Sequence, residues 1–271
     1  YLTDWLSDKA SEFVEREKDR PFFLYLAYNA PHAPMQATQE YLDRFSHIDD
    51  ELRRTYAAMV SAVDDGVGDV LNKLDEHEIA DDTIVFFLSD NGGPLGRSSN
   101  GSINSPLRGG KGSLYDGGVR VPFAARWTGT FPAGIDYPHP ISSLDIMATT
   151  VGVNQLERTV PNRLDGVNLV PFLVGAETGS TPHNFLFWRV PLNDRENIQV
   201  DRFAVVAGTS KYIDFSGAAA LFDLSVDIGE QENLIEAKPS RSTQLRSAWE
   251  RWNSQMPSES SIPISTEWEE R

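Results

Sequence analysis

Leu2, Leu6, Ala10, Phe13 and Val14 recur at roughly helical spacing, and the polar stretch Glu15 to Arg20 ends at Pro21, so a helix is predicted that stops at this proline. Phe22 to Tyr28 is a continuous apolar run, too short for a helix of this type, and predicts a strand covered on both faces. Tyr56, Met59, Val60, Val63, Val67, Val70, Leu71 and Leu74 then mark one face of a long helix from about Glu51 to Glu78. A second apolar run, Thr83 to Leu88, completes a strand, helix, strand unit. A crossover of this length favours parallel pairing, which brings both C-terminal strand ends to one sheet edge. Ligands bind at that edge in open α/β sheets. The segments emerging there are Asn-Ala-Pro-His-Ala-Pro, ending at Pro34, and Ser-Asp-Asn-Gly-Gly, ending at Gly93.

From Gly92 to Gly118 the chain is rich in Gly, Ser and Asn and reads as one long loop, the kind that serves active sites. Val119 to Trp127 predicts a further strand, and Asp145 a cap for a short helix through Val151. After the linker-like Val174 to Pro182 the rhythm changes. Short strands are predicted at Phe185 to Val190, Phe203 to Ala207, Lys211 to Phe215 and Leu221 to Leu224, and a helix at Ser240 to Trp252. The reading is an α/β domain over residues 1–180, mainly a parallel sheet flanked by helices, and a small antiparallel sheet with one helix over residues 181–271.

Composition narrows the chemistry. The 271 residues contain no cysteine, which excludes disulfides, thiolate metal sites and a cysteine nucleophile within this chain. A formal charge of -16 repels polyanions and argues against nucleic acid as a partner, and no apolar run reaches the length of a membrane span. An anionic substrate therefore needs a local basic pocket. Arg97, Arg108, Lys111, Arg120 and Arg126 form such a segment, facing one acid, Asp116, although scattered surface charge would give the same pattern.

Asp90 and Asn91 directly follow a buried strand, and two glycines after them allow a tight turn with both side chains in one cavity. Carboxylate and amide oxygens suit calcium, while the lack of Cys and of an HExxH pattern argues against zinc; a plain Asn-Gly turn is the competing reading. His32 stands between two prolines that stiffen its loop, where it could donate a proton or serve only structure. Lys111, within Gly109-Gly110-Lys111-Gly112, can approach an anion closely or be incidental to a glycine loop. The Walker pattern is not met, because Gly112 follows the lysine and Ser105 occupies the first glycine position; no G-x-S-x-G elbow occurs.

Taken in order, these segments resemble the type I sulfatases over nearly the whole chain. The likeness rests on Phe22-Phe23-Leu24-Tyr25 leading to Pro31-His32-Ala33-Pro34, on Ser89-Asp90-Asn91-Gly92-Gly93, on Arg108-Gly109-Gly110-Lys111-Gly112 and on Gly117-Gly118-Val119-Arg120-Val121-Pro122. Ser143-Leu144-Asp145-Ile146-Met147-Ala148-Thr149-Thr150, Leu164-Asp165-Gly166-Val167-Asn168-Leu169 and Leu221-Phe222-Asp223-Leu224 through Glu232-Asn233-Leu234 continue it, with Ile228 where a proline is usual.

The resemblance implies an alkaline-phosphatase-like fold, represented here without its N-terminal part. It implies Asp90 and Asn91 as two oxygen ligands to calcium, Lys111 on the sulfate or bridging oxygen, and His32 assisting departure of the alcohol. The substrate it implies is a sulfated small molecule or polysaccharide, and the compartment export or the periplasm. The family's nucleophile, a formylglycine made from Cys or Ser in a C-x-P-S-R type motif, precedes the matched region in the family and is expected elsewhere. Ala237-Lys238-Pro239-Ser240-Arg241 looks like that motif with Ala for Cys, but in the C-terminal subdomain near a helix start it is a coincidence. This chain alone is accordingly expected to be inactive. The alternatives are a phosphate or phosphonate ester hydrolase of the same superfamily and a non-catalytic sulfatase-like binding protein.

Overall fold

The computed structural model describes residues 1–96, 99–156, 164–190 and 202–256; Arg97 of the basic segment and the C-terminal tail from Pro257 lie outside them. The chain divides into two compact units, Tyr1–Pro182 and His183–Arg271.

In the first unit, α1 (Leu2–Glu17) packs along α3 (Glu51–Glu76). The N-terminus of α3 is fixed by Asp50, whose Oδ1 accepts the Arg53 N–H at 2.7 Å. The buried face of α3 is not the full stripe of large residues that periodicity marks. It includes Ala58, Ala62 and Gly66, while Val60 is exposed. Small residues let α1 come close: a Cβ on Gly66 would sit 1.9 Å from Ser7 Oγ. Val14, Leu74 and Ala80 form one core cluster, closed by Phe22, Leu24, Val70, Leu71, Ile79 and Val85. The short α2 (Gln39–Arg44) adds Tyr41 to a second cluster with Ala58 and Ala62.

Residues 22–28 alternate in burial along the run. Phe22 and Leu24 face the helices, and the Tyr28 hydroxyl lies 2.9 Å from Ser7 Oγ, whereas Phe23 and Tyr25 are 77% and 81% exposed. The period is that of a strand, but cover on both faces is not observed. Nor is the expected parallel pairing, because among the described residues no ladder joins this run to another strand. Instead β1 (Val85–Leu88) pairs antiparallel with β2 (Phe123–Arg126), from Val85 opposite Arg126 to Leu88 opposite Phe123. The Gly-rich loop between these strands is interrupted by a single helical turn, α4 (Asp116–Val119). Two helices complete the unit, α5 (Leu144–Val153) and α6 (Val170–Leu173).

The second unit is a meander of β3 (Leu186–Val190), β4 (Arg202–Ala207), β5 (Ser210–Phe215) and β6 (Ala218–Asp223), all antiparallel in sequence order, with α7 (Pro239–Asn253) packed on β4 and β5. Its core gathers Phe203, Val205, Tyr212, Leu221, Leu245 and Trp249, with the Phe203 and Trp249 rings stacked at 3.8 Å between centroids. β5 is buried on both faces, and Lys211, on the face opposite Tyr212, is paired with Glu230 at 2.9 Å. No helix of the described residues is long and apolar enough to cross a membrane.

Candidate functional site

The site is built where β1 ends and β2 begins. Ser89 continues the ladder by donating its N–H to Pro122 O at 3.3 Å, and its Oγ donates to Asn91 O at 3.0 Å. That second bond folds the Asp90–Asn91 turn back on itself. The exposed Asp90 carboxylate accepts the Asn91 N–H at 2.8 Å, and Asn91 Nδ2 donates to Gly92 O at 3.0 Å. Gly92 has to be glycine, since a Cβ there would lie 1.7 Å from Gly117 O. The absence of that Cβ lets the Gly92 N–H reach Gly118 O at 3.1 Å.

Lys111 is delivered to the same place through its backbone, whose N–H donates to Gly93 O at 3.1 Å. Its ammonium lies 3.3 Å from His32 Nε2, and both side chains are exposed. The His32 loop is anchored independently. Asn100, nearly fully buried, donates its Nδ2 to Pro31 O at 2.9 Å, and Arg53 of α3 donates to Gly101 O at 2.9 Å. His32 Nδ1 is 2.8 Å from Ala33 O. A carbonyl only accepts, so Nδ1 carries a proton and neutral His32 turns the lone pair of Nε2 toward Lys111.

Two arginines of the basic segment are paired with acids where they stand, and a third lies on a ring. Arg120 pairs with Asp116 at 3.5 Å, Arg126 with Asp75 of α3 at 2.7 Å, and the Arg108 guanidinium lies over the Tyr115 ring at 4.1 Å. Asp75 is a second acid that sequence order concealed, because the partner lies fifty-one residues upstream. Of the other histidines, His77 is tied to Glu15 at 2.6 Å and His139 packs on the Tyr137 ring, away from these loops in sequence.

Asp90 and Asn91 are adjacent hard-oxygen groups of the type calcium takes. Among the described residues they do not join a cluster of three or more His, Cys, Asp or Glu side chains. A calcium ion takes about six to eight oxygens, more than these two residues offer. The residues that sequence reading passed over are the asparagines of the Gly-rich loop. Asn100 holds the His32 loop, and Asn104 accepts the Gly93 N–H at 2.9 Å while donating to Gly93 O and Gly109 O at 2.9 and 3.0 Å. Their only sequence signal is a polar amide among glycines, which turn formers share.

Residues 1–154 match the family model described as Sulfatase. The uncharacterized sulfatase YdeN of Escherichia coli (strain K12) is 36% identical over 209 residues, spanning 73% of this chain and 36% of that protein. The N-acetylgalactosamine-6-sulfatase of Canis lupus familiaris is 34% identical over 185 residues, 67% of this chain and 34% of the relative. The crystal structure of Ps i-CgsB in complex with k-i-k-neocarrahexaose matches with a TM-score of 0.82 at 35% identity, covering 93% of this chain and 55% of that one. The chain thus spans about a third of the length of these curated relatives, and it shares the alkaline-phosphatase-like fold of the sulfatases among its structural neighbours. On the match to more than half of its residues, this chain belongs to the sulfatase family.

Proposed function

We propose that the chain forms part of the active centre of a hydrolase that cleaves a sulfate ester on a carbohydrate. The observation that carries this reading is the Lys111 ammonium 3.3 Å from the His32 imidazole, on loops tied through Gly93 to the Asp90–Asn91 turn. A cation for a tetrahedral anion, a proton donor for a leaving alcohol and hard-oxygen groups for a metal are the parts such a reaction needs.

In this reading Lys111 holds the sulfate group or its bridging oxygen as a compact point charge. His32 keeps one proton on Nδ1 through Ala33 O, so it serves the leaving group from its imidazolium form, the Nε2 proton passing to the alkoxide oxygen as the ester S–O bond breaks. Lys111, the neighbour that donates to Nε2 in the neutral form, also keeps that nitrogen aimed at the anion's position. Asp90 and Asn91 would hold part of a calcium ion, which offsets the negative charge of the ester when bound. The nucleophile is a formylglycine contributed from outside these 271 residues. The run that comes nearest to its motif has Ala237 in the nucleophile's position and lies at the start of α7, in the second unit. The carbohydrate is supported by the solved relative bound to neocarrahexaose and by the similarity to an N-acetylgalactosamine-6-sulfatase.

The test is sulfate release from sulfated oligosaccharides by a polypeptide that joins this chain to a segment carrying a C-x-P-S/T-R motif. Lys111→Ala and His32→Ala should each lower kcat/KM by about a hundredfold or more. Turnover unchanged in both variants would overturn the reading, as would full activity of the 271 residues by themselves.

A further inference from the structure

The Asn104 side chain touches neither the proposed anion position nor the proposed metal ligands, yet both loops that carry them close on it. Its Oδ1 accepts the Gly93 N–H at 2.9 Å, and its Nδ2 donates to Gly93 O at 2.9 Å and to Gly109 O at 3.0 Å. Its backbone carbonyl accepts the Leu107 N–H at 2.9 Å, which fixes the turn leading into Arg108 and Gly109. The primary amide thus pairs with Gly93 as a strand neighbour would, with donor and acceptor both used, and spends its second N–H on the lysine loop. Gly93 lies two residues beyond Asn91, and Gly109 two residues before Lys111. Gly93 O also receives the Lys111 N–H, so one carbonyl is shared by the clamp and the residue it positions.

We infer that Asn104 is the positioning residue of this site: its amide locks the Asp90–Asn91 turn to the Lys111 loop, so that anion binding at Lys111 depends on a side chain that does not touch the anion. The inference rests on the function proposed above for its anion, and on geometry alone for the clamp. The three bonds need one acceptor and two donors on one short planar group, which a primary amide supplies. Asp has the shape but only accepts, and would set a carboxylate against two carbonyl oxygens; Ala leaves Gly109 O and the Gly93 N–H without their partner and Gly93 O with the Lys111 N–H alone.

The experiment uses the 271-residue chain, its Asn104→Ala and its Asn104→Asp variants, with amide hydrogen exchange and inorganic sulfate titration both followed by NMR. The Ala58 and Ala62 amides of α3 report whether the unit remains folded. In variants that keep their protection, the Gly93 and Lys111 amides should both exchange faster, and sulfate should bind about tenfold more weakly than to the native chain. For Asn104→Asp the deficit should narrow as pH falls through the ordinary carboxyl range near about 4, because the protonated acid regains one donor. Unchanged sulfate affinity with the loops loosened overturns the positioning role, and so does unchanged exchange at Gly93 and Lys111. Loss of the α3 protection in both variants also overturns it, by making Asn104 a general structural residue. If the native chain itself binds no sulfate, the proposed function fails at Lys111, while joint loss of the Gly93 and Lys111 protection still establishes the clamp.

Discussion

The buried carboxylate of Asp145 accepts the backbone N–H of Val167 at 2.8 Å, across twenty-two positions of sequence. Its other oxygen accepts the Ser142 N–H at 2.7 Å, and one helical turn later Thr149 Oγ1 accepts the Leu169 N–H at 2.9 Å. Two of the sequence runs that signal the family are therefore laced together side chain to backbone. Asp145 lies within α5 rather than at its N-cap position, Ser143, so the cap expected of it is instead a tether for a following loop.

Removing that tether leaves two backbone donors without a buried partner. Asp145→Ala should destabilise the first unit by about 2 kcal/mol, and Asp145→Asn by less, since one acceptor oxygen remains. Chemical denaturation measures both; a shift below about 0.5 kcal/mol for the alanine variant would remove the tether's importance.

Lys211 and Glu230 are each fully buried and lie 2.9 Å apart, with Glu230 held in the left-handed region at φ 52°. Breaking the pair strands a charge, whereas replacing both ions relieves the desolvation of each. Lys211→Met alone should cost about 3–5 kcal/mol, and Lys211→Met with Glu230→Leu markedly less. Equal losses in the single and double variants would argue that packing, and not charge, dominates this position.

Stability should fall with acid in a defined window. The guanidinium of Arg20, and then that of Arg16, hold Glu17 at about 2, below its ordinary value of 4.5. Ser225 and then Lys238 hold Asp223 at about 2, below 3.8. A depressed carboxylate stabilises the fold above its unfolded value and loses that contribution as pH falls toward its folded one. Melting temperature should therefore drop between about pH 4.5 and about pH 2, and Glu17→Gln or Asp223→Asn should flatten its unit's share of the slope. A slope identical in native and variant chains would assign the acid sensitivity elsewhere.

Phe23 and Tyr25 present aromatic rings to solvent along a run whose alternate residues are packed, and Phe87 on β1 is also exposed. The chain should bind a hydrophobic dye such as ANS, and Phe23→Ser with Tyr25→Ser should reduce that binding while changing stability by only about 0.5 kcal/mol. Undiminished dye fluorescence in the double variant would locate the apolar surface in another part of the molecule.

Local patterns announced much of this architecture. Period and punctuation located α1, α3, β1 and the strands of the second unit to within a few residues, because a helix or strand is specified by neighbours close in sequence. The motifs also nominated His32, Asp90, Asn91 and Lys111, since their glycine and proline settings are readable residue by residue. Partnership was not readable. Whether 22–28 lies in a ladder, whether β1 runs parallel or antiparallel to its neighbour, and that Arg126 is neutralised by Asp75 all depend on segments far apart in the chain.

The sequence by itself determined the element periodicities, the lack of any thiol chemistry and the family to which the run of motifs is similar. Only the tertiary structure decided that Lys111 meets His32, that Asn104 joins the two glycine loops and that Asp145 serves a distant backbone. The physical reason is that hydrogen bonds and ion pairs act over about 3 Å of space whatever the separation along the chain, and that no single-sequence pattern encodes which loops fold to that distance.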